Sequence, residues 1–141
     1  MTEDLFGVSL RFVVDIHGLS LGDWTKCEGL TVEYEVEEYK EGGQNDFVHR
    51  LPGRVKYQNI KLSRPLTKRS KEVLRCLARI QQELKRQTGS IELRDAADQK
   101  VIRWNLDGVF PVKWTGPTMD VSANNAAIES LELAHRGFSV E

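Results

Sequence analysis

Apolar residues recur at every second position along most of this chain, and one segment carries a different period. Phe6, Val8, Leu10, Phe12, Val14 and Ile16 alternate with Gly7, Ser9, Arg11, Val13 and Asp15. Successive side chains of a strand point to opposite faces, so strict alternation marks a strand with one face buried. Related patterns return at 30–39, 55–64, 90–95, 101–107, 109–114 and 126–135. The exception runs from Thr67 to about Gln87, where Val73, Leu74, Leu77, Ile80 and Leu84 fall at helical spacing. Thr67 or Ser70 is placed to cap that helix and Gly89 to end it. About seven strands and one helix, mostly adjacent in sequence, predict a mainly β fold: an antiparallel sandwich or small barrel with the helix on its flank. A chain of 141 residues suits one domain over 1–141 with one core.

Within this frame 19–29 reads as a loop turned by Gly22-Asp23, with Trp24 as a core plug. In the second strand Leu30, Val32, Tyr34 and Val36 are expected to face the core, and Glu33, Glu35 and Glu37 to form an acidic ladder on the other face. The third strand, 55–64, has apolar residues on both faces, Ile60 and Leu62 against Val55 and Tyr57, and Pro65 stops it. A hairpin turns at Ala96–Gln99, with Ile91 and Leu93 facing Ile102, Trp104 and Leu106. Pro111 marks an edge or bulge in the next strand. The last strand places Leu131 and Leu133 opposite Ile128.

Between the second and third strands lies a connection, Lys40 to Arg54, far longer than a hairpin needs. Turn formers stand at both ends, Gly42-Gly43 and Pro52-Gly53, with Phe47, Val48 and Leu51 between them. Linkers that stay disordered rarely place apolar residues that way. The segment is therefore expected to be an arm that orders against something else.

Charge is balanced overall, with a formal net of −1, so nothing global points to nucleic acid or a membrane. Locally it is not balanced. From Glu28 to Asp46 acids outnumber bases seven to one, and from His49 to Arg86 bases outnumber acids twelve to two. Either these are solvated faces of opposite sign, or copies of the chain meet sign to sign. The basic span 50–86 admits a nucleic-acid module. Yet no aromatic residues interleave with the bases, and neither a helix-turn-helix nor a zinc pattern accompanies them.

Chemistry is hard to place. The Glu33–Glu35–Glu37 ladder would share one wet environment, whereas catalytic carboxylate pairs are held apart in pKa by different surroundings. His135 has no recognisable nucleophile beside it. Cys27 and Cys76 belong to no metal or redox motif and read as buried thiols. The expectation is no catalytic residue, no cofactor and no metal. No apolar run is long enough for a membrane helix, and the start Met-Thr-Glu-Asp lacks the features of a signal peptide. The protein is expected to be made in the cytosol and to stay there unless moved by a route other than general secretion.

Three segments together resemble a known family. They are Cys27-Glu28-Gly29-Leu30 running into Glu33-x-Glu35 and Tyr39-x-Glu41-Gly42-Gly43-x-Asn45; Leu51-Pro52-Gly53 with Ile60-x-Leu62-x-Arg64; and Phe110–Pro117 with Ala127–Phe138. In order and spacing they resemble the tail tube proteins of contractile phages and the inner tube proteins of phage-like extracellular contractile injection systems. The tube protein of type VI secretion is a more distant fold relative. His17 departs from the pattern, which has an acid before the glycine.

The resemblance implies a tail-tube-like fold and a structural subunit. Such subunits form six-membered rings that stack into a hollow conduit inside a sheath. It implies that the arm, through Glu41, Gly42, Gly43, Asn45, Phe47, Leu51, Pro52 and Gly53, reaches a neighbouring subunit or ring. It allows Glu33, Glu35 and Glu37 to line the lumen, and Lys68, Arg69, Lys71, Arg75 and Arg79 to meet the sheath or the next ring. The implied partners are further copies, sheath protein, baseplate or spike proteins, and cargo effector or DNA in the lumen, with no membrane insertion by this chain. Assembly would be cytoplasmic, into a phage tail or an injection particle. A tube-initiating or baseplate adaptor of the same fold is the alternative.

Overall fold

The computed structural model describes residues 10–39, 49–83, 87–117, 122 and 127–141. They form ten strands and one helix. Every strand pairing is antiparallel.

Strand β1 (Arg11–Ile16) turns at once into β2 (Leu19–Trp24). His17 and Gly18 both carry positive φ, 52° and 75°. Two such residues between paired strands make the tight turn whose twist suits a hairpin. The expected loop at 19–29 is thus a strand, and after a bend at Thr25 it continues as β3 (Lys26–Glu28). Expecting a loop undervalued His-Gly as a two-residue turn. Phe6 and Val8 of the first predicted strand lie outside the described residues.

The bent β2–β3 segment closes a barrel. β2 pairs with β1, and β3 pairs with β6 (Ile60–Pro65). The remaining order runs β1, β7 (Gln87–Arg94), β8 (Lys100–Thr115), β9 (Ile128–Ala134), β6. Closure pairs the strand edges that an open sheet would leave free. The 16-residue β8 replaces the two strands expected at 101–107 and 109–114. It pairs with β7 and β10 (Gly137–Val140) before Gly108 and with β9 after it. Its register with β9 shifts between Pro111 and Lys113, where Pro111 marked an edge or a bulge.

Helix α1 (Ser70–Glu83) is shorter at both ends than the expected 67–87. Gln87 and Gly89 belong to β7, so Gly89 pairs in a sheet and does not end a helix. The helix buries Val73 and Ile80 into a core of Val14, Ile16, Leu21, Trp24, Ile60, Leu62, Ile91, Leu131 and Leu133. Trp24 is fully buried, and its indole N–H donates to Leu21 O at 3.1 Å.

The core holds one ion pair that its sequence pattern conceals. Arg64 and Glu129 are register partners on β6 and β9, with Nε 2.5 Å from Oε1. Their side chains are 6% and 0% exposed. Arg64 also donates to Asp23 O at 2.9 Å and lies 4.3 Å over the Trp24 ring. One guanidinium thus joins β6, β9 and the β2–β3 bend.

The largest departure from expectation is β4 (Val32–Tyr39) with β5 (His49–Tyr57). They form a separate two-stranded sheet. The predicted third strand is really two, since β5 belongs to this ribbon and β6 to the barrel, with Gln58-Asn59 between them. That explains its mixed faces: Val55 and Tyr57 serve one sheet, Ile60 and Leu62 another.

Candidate assembly surface

The ribbon has two faces of different chemistry. Register pairs Val32 with Tyr57, Tyr34 with Val55 and Val36 with Pro52, so these share one face. Glu33 pairs with Lys56 and Glu37 with Leu51 on the other. The register shifts between Tyr34 and Val36, and a Cβ on Gly53 would come within 3.2 Å of Glu35 Cβ.

The expectation that Val32, Tyr34 and Val36 face the core is overturned. Tyr34 is 65% exposed and Val36 49%. Val32 and Val55 are also exposed. Among the described residues no layer covers this face, because the ribbon is a sheet of its own and not part of the barrel wall. A contiguous apolar strip on a two-stranded ribbon has no burial of its own to stabilise it, and two strands alone are marginal in water.

The acidic ladder stands as predicted, on one face of β4. Its own strand partner partly neutralises it: Lys56 Nζ lies 2.6 Å from Glu35 Oε1. The hydrogen bond to Glu35, then that carboxylate's charge and the charge of Glu33, holds the Lys56 ammonium above its ordinary range. Of the predicted arm residues, Leu51, Pro52 and Gly53 lie within β5 and not in a loop. Glu41, Gly42, Gly43, Asn45 and Phe47 lie outside the described residues.

The predicted basic residues do gather. Lys71, Arg75 and Arg79 follow each other at four-residue spacing, which aligns them along one helix face. That face is opposite Val73 and Ile80, and all three are exposed. Lys68 and Arg69 sit in the turn before the helix, where Arg69 N donates to Thr67 Oγ1 at 3.2 Å. The wider basic span is divided. Arg50, Arg54 and Lys56 lie on the ribbon, Arg64 is buried, and the remaining described bases after Pro65 lie on or just before the helix.

Sequence reasoning missed the base of the ribbon. Tyr57, His135 and Phe138 cluster there, with ring centroids 5.4, 5.7 and 5.9 Å apart. His135 makes two hydrogen bonds there, one with Gln58 O and one with the Gly137 amide, both at 3.1 Å. The sequence signal was aromatic spacing across two distant segments, which only pairing brings together.

Among the described residues no group of three His, Cys, Asp or Glu is placed to hold a metal, and no helix is long and apolar enough to cross a membrane. Cys27 and Cys76 are both free and half-buried. Burial, with Glu28 beside it, pushes the Cys27 thiol up to about 12. It is therefore the neutral thiol, a poor nucleophile.

The fold matches solved structures across nearly the whole chain. A chain from a PVC extracellular contractile injection system sheath–tube complex in the extended state gives a TM-score of 0.75 at 23% identity, covering 93% of this chain and 88% of that one. A chain of the anti-feeding prophage baseplate gives 0.75 at 22% identity, with 100% and 97% covered. Hcp1 from Flavobacterium johnsoniae gives 0.51 at 14% identity, with 92% and 94% covered. No curated protein matches the sequence. The family model of the T4-like virus tail tube protein gp19 matches residues 8–139. That match, over nearly the whole of a chain folded as a barrel with a flanking helix and a separate ribbon, places it in the T4-like virus tail tube protein family.

Proposed function

We propose that the protein is the repeating subunit of the inner tube of a phage tail or phage-like contractile injection particle, and that its role is structural and not catalytic. Hexameric rings stack into a hollow conduit for cargo or DNA. The observation that carries the reading is the uncovered apolar strip of Val32, Tyr34, Val36 and Val55 on a ribbon built apart from the barrel. In a head-to-tail ring each copy offers one surface and receives another, and stacking repeats the contact without end. The ribbon is the offered surface. The Glu33–Glu35–Glu37 ladder faces the lumen, where like charge keeps DNA or acidic cargo from adhering. The helix stripe of Lys71, Arg75 and Arg79 faces the sheath or the next ring. A sheath and a baseplate, which appear in the structures of the similar chains, are the other partners.

Negative-stain microscopy of the purified protein across concentration tests this. Rings or hollow tubes are expected. The paired variants Tyr34→Lys and Val55→Lys put charge on the strip without touching the barrel, so they are expected to stay folded and lose assembly. Tubes from those variants would refute the ribbon's role. A monomer at high concentration, even with sheath and baseplate present, would refute the whole reading.

A second reading has its own support: the baseplate chain fits this fold as well as the sheath–tube chain does, at the same TM-score of 0.75. A tube-initiating adaptor would form single rings that never stack.

A further inference from the structure

We propose that His135 is a proton-sensitive bolt that fixes the ribbon to the barrel. The ribbon hangs from two short links, 29–31 before β4 and Gln58-Asn59 after β5. The links press together, since a Cβ on Gly29 would overlap the Asn59 carbonyl. His135 grips the second link from the β9–β10 corner.

Its hydrogen bonds define its tautomer. The Gly137 amide is a donor and reaches Nδ1 at 3.1 Å, so Nδ1 carries no proton. Nε2 then carries the proton and donates to Gln58 O at 3.1 Å. Both ring nitrogens are used, and only the neutral imidazole satisfies both partners. Adding a proton to Nδ1 sets two donors against each other at Gly137. The backbone there has little room to retreat: a Cβ on Gly137 would meet the Tyr57 ring at 3.2–3.3 Å, so the chain already lies against it. The ring must turn instead, and turning releases Gln58 O and disturbs the Tyr57–His135–Phe138 cluster at the ribbon's base.

Among the described residues the groups around the imidazole are these. β5 presents Tyr57 and β10 presents Phe138. Arg136 follows His135 in the chain, and its Nη2 lies 3.7 Å from Asp107 Oδ1 on β8. Lys61 and Glu132 form the next outward rung of β6 and β9. A second proton on this imidazole is therefore expected to loosen the ribbon while the barrel stays closed. The consequence for assembly rests on the tube reading, but the bolt does not.

Two measurements separate them. Long-range proton–nitrogen spectra of the dilute, histidine-labelled chain read the tautomer directly. Nε2 protonated and Nδ1 bare at neutral pH is expected, and acidification is expected to shift ribbon amides with the same midpoint as the His135 ring. The opposite tautomer, or ribbon amides that ignore the ring's titration, would overturn the proposal whatever the chain assembles into. The second compares sedimentation of wild type and His135→Asn at neutral pH and at about pH 5.5. Asparagine keeps an acceptor for the Gly137 amide and cannot gain a proton. The assembled fraction of wild type is expected to fall several-fold on acidification, and that of the variant to hold. An equal fall in both would assign the pH response to His17, His49 or the carboxylates and overturn the assembly consequence. No assembly at any pH would refute the tube reading and leave the spectra to decide the bolt.

Discussion

Replacing Glu129 by Gln changes one charge and almost no volume, and it isolates the ion pair inside the barrel. The Arg64 guanidinium would keep the Asp23 carbonyl at 2.9 Å and the Trp24 face at 4.3 Å, but lose the carboxylate at 2.5 Å. It would then be a nearly bare cation with 6% of its side chain exposed. Removing one partner of a buried pair costs about 3–5 kcal/mol, because the remaining charge has already lost its water. Stability for a domain of this size is about 5–15 kcal/mol, so the variant would lose a large share of it. Among the described residues Arg64 Nη2 and Glu129 Oε2 have no hydrogen-bond partner, so the Asp23 carbonyl and the Trp24 face are all that would remain to the cation. The double variant Arg64→Met with Glu129→Leu removes both charges and fills the space, and well-packed apolar replacements of such pairs are often neutral. Urea unfolding of the dilute chain, followed by tryptophan fluorescence, measures all three. The double variant is expected to be several kcal/mol more stable than Glu129→Gln. If Glu129→Gln costs under about 1 kcal/mol, or the double variant costs at least as much, the pair is not the desolvated clamp argued here.

Three further outcomes follow from Gly29 and Cys27. Gly29 has φ of +93° and no space for a Cβ beside Asn59, so Gly29→Ala is expected to destabilise the chain by more than the ~1 kcal/mol typical of a left-handed glycine, and an unchanged urea midpoint would refute the close packing of the two links. Cys27, raised from the ordinary 9.0 to about 12 by burial and then Glu28, is expected to react with iodoacetamide only after unfolding. Because the unfolded thiol ionises first, the folded state binds more protons above pH 9.0, so stability contributed by this group falls from there towards about 12, and a Cys27→Ala variant lacks that fall.

Much of the barrel was legible in the chain. Alternation placed β1, β7, β9 and the buried faces of each, since a half-buried strand needs no information beyond its own period. Proline at 111 announced the bulge in β8 for the same local reason. The helix was found from its stripe, but its ends were not, because Gln87 and Gly89 answer to β1 and β8 rather than to the helix. The ribbon shows the limit most plainly. Val32, Tyr34 and Val36 alternate as a core strand does, and alternation says only that one face seeks cover, not whose atoms supply it.

The sequence by itself determined the fold class, the family, the acidic ladder and the basic helix stripe, all of which are local patterns or their order along the chain. Tertiary structure alone decided that β2 and β3 close the barrel, that Arg64 meets Glu129 across 65 positions, and that Tyr57, His135 and Phe138 meet at the ribbon's base. The physical reason is that burial, ion pairing and ring contact depend on which strands become neighbours. That choice is made by pairing over the whole sheet, and no single window of residues contains it.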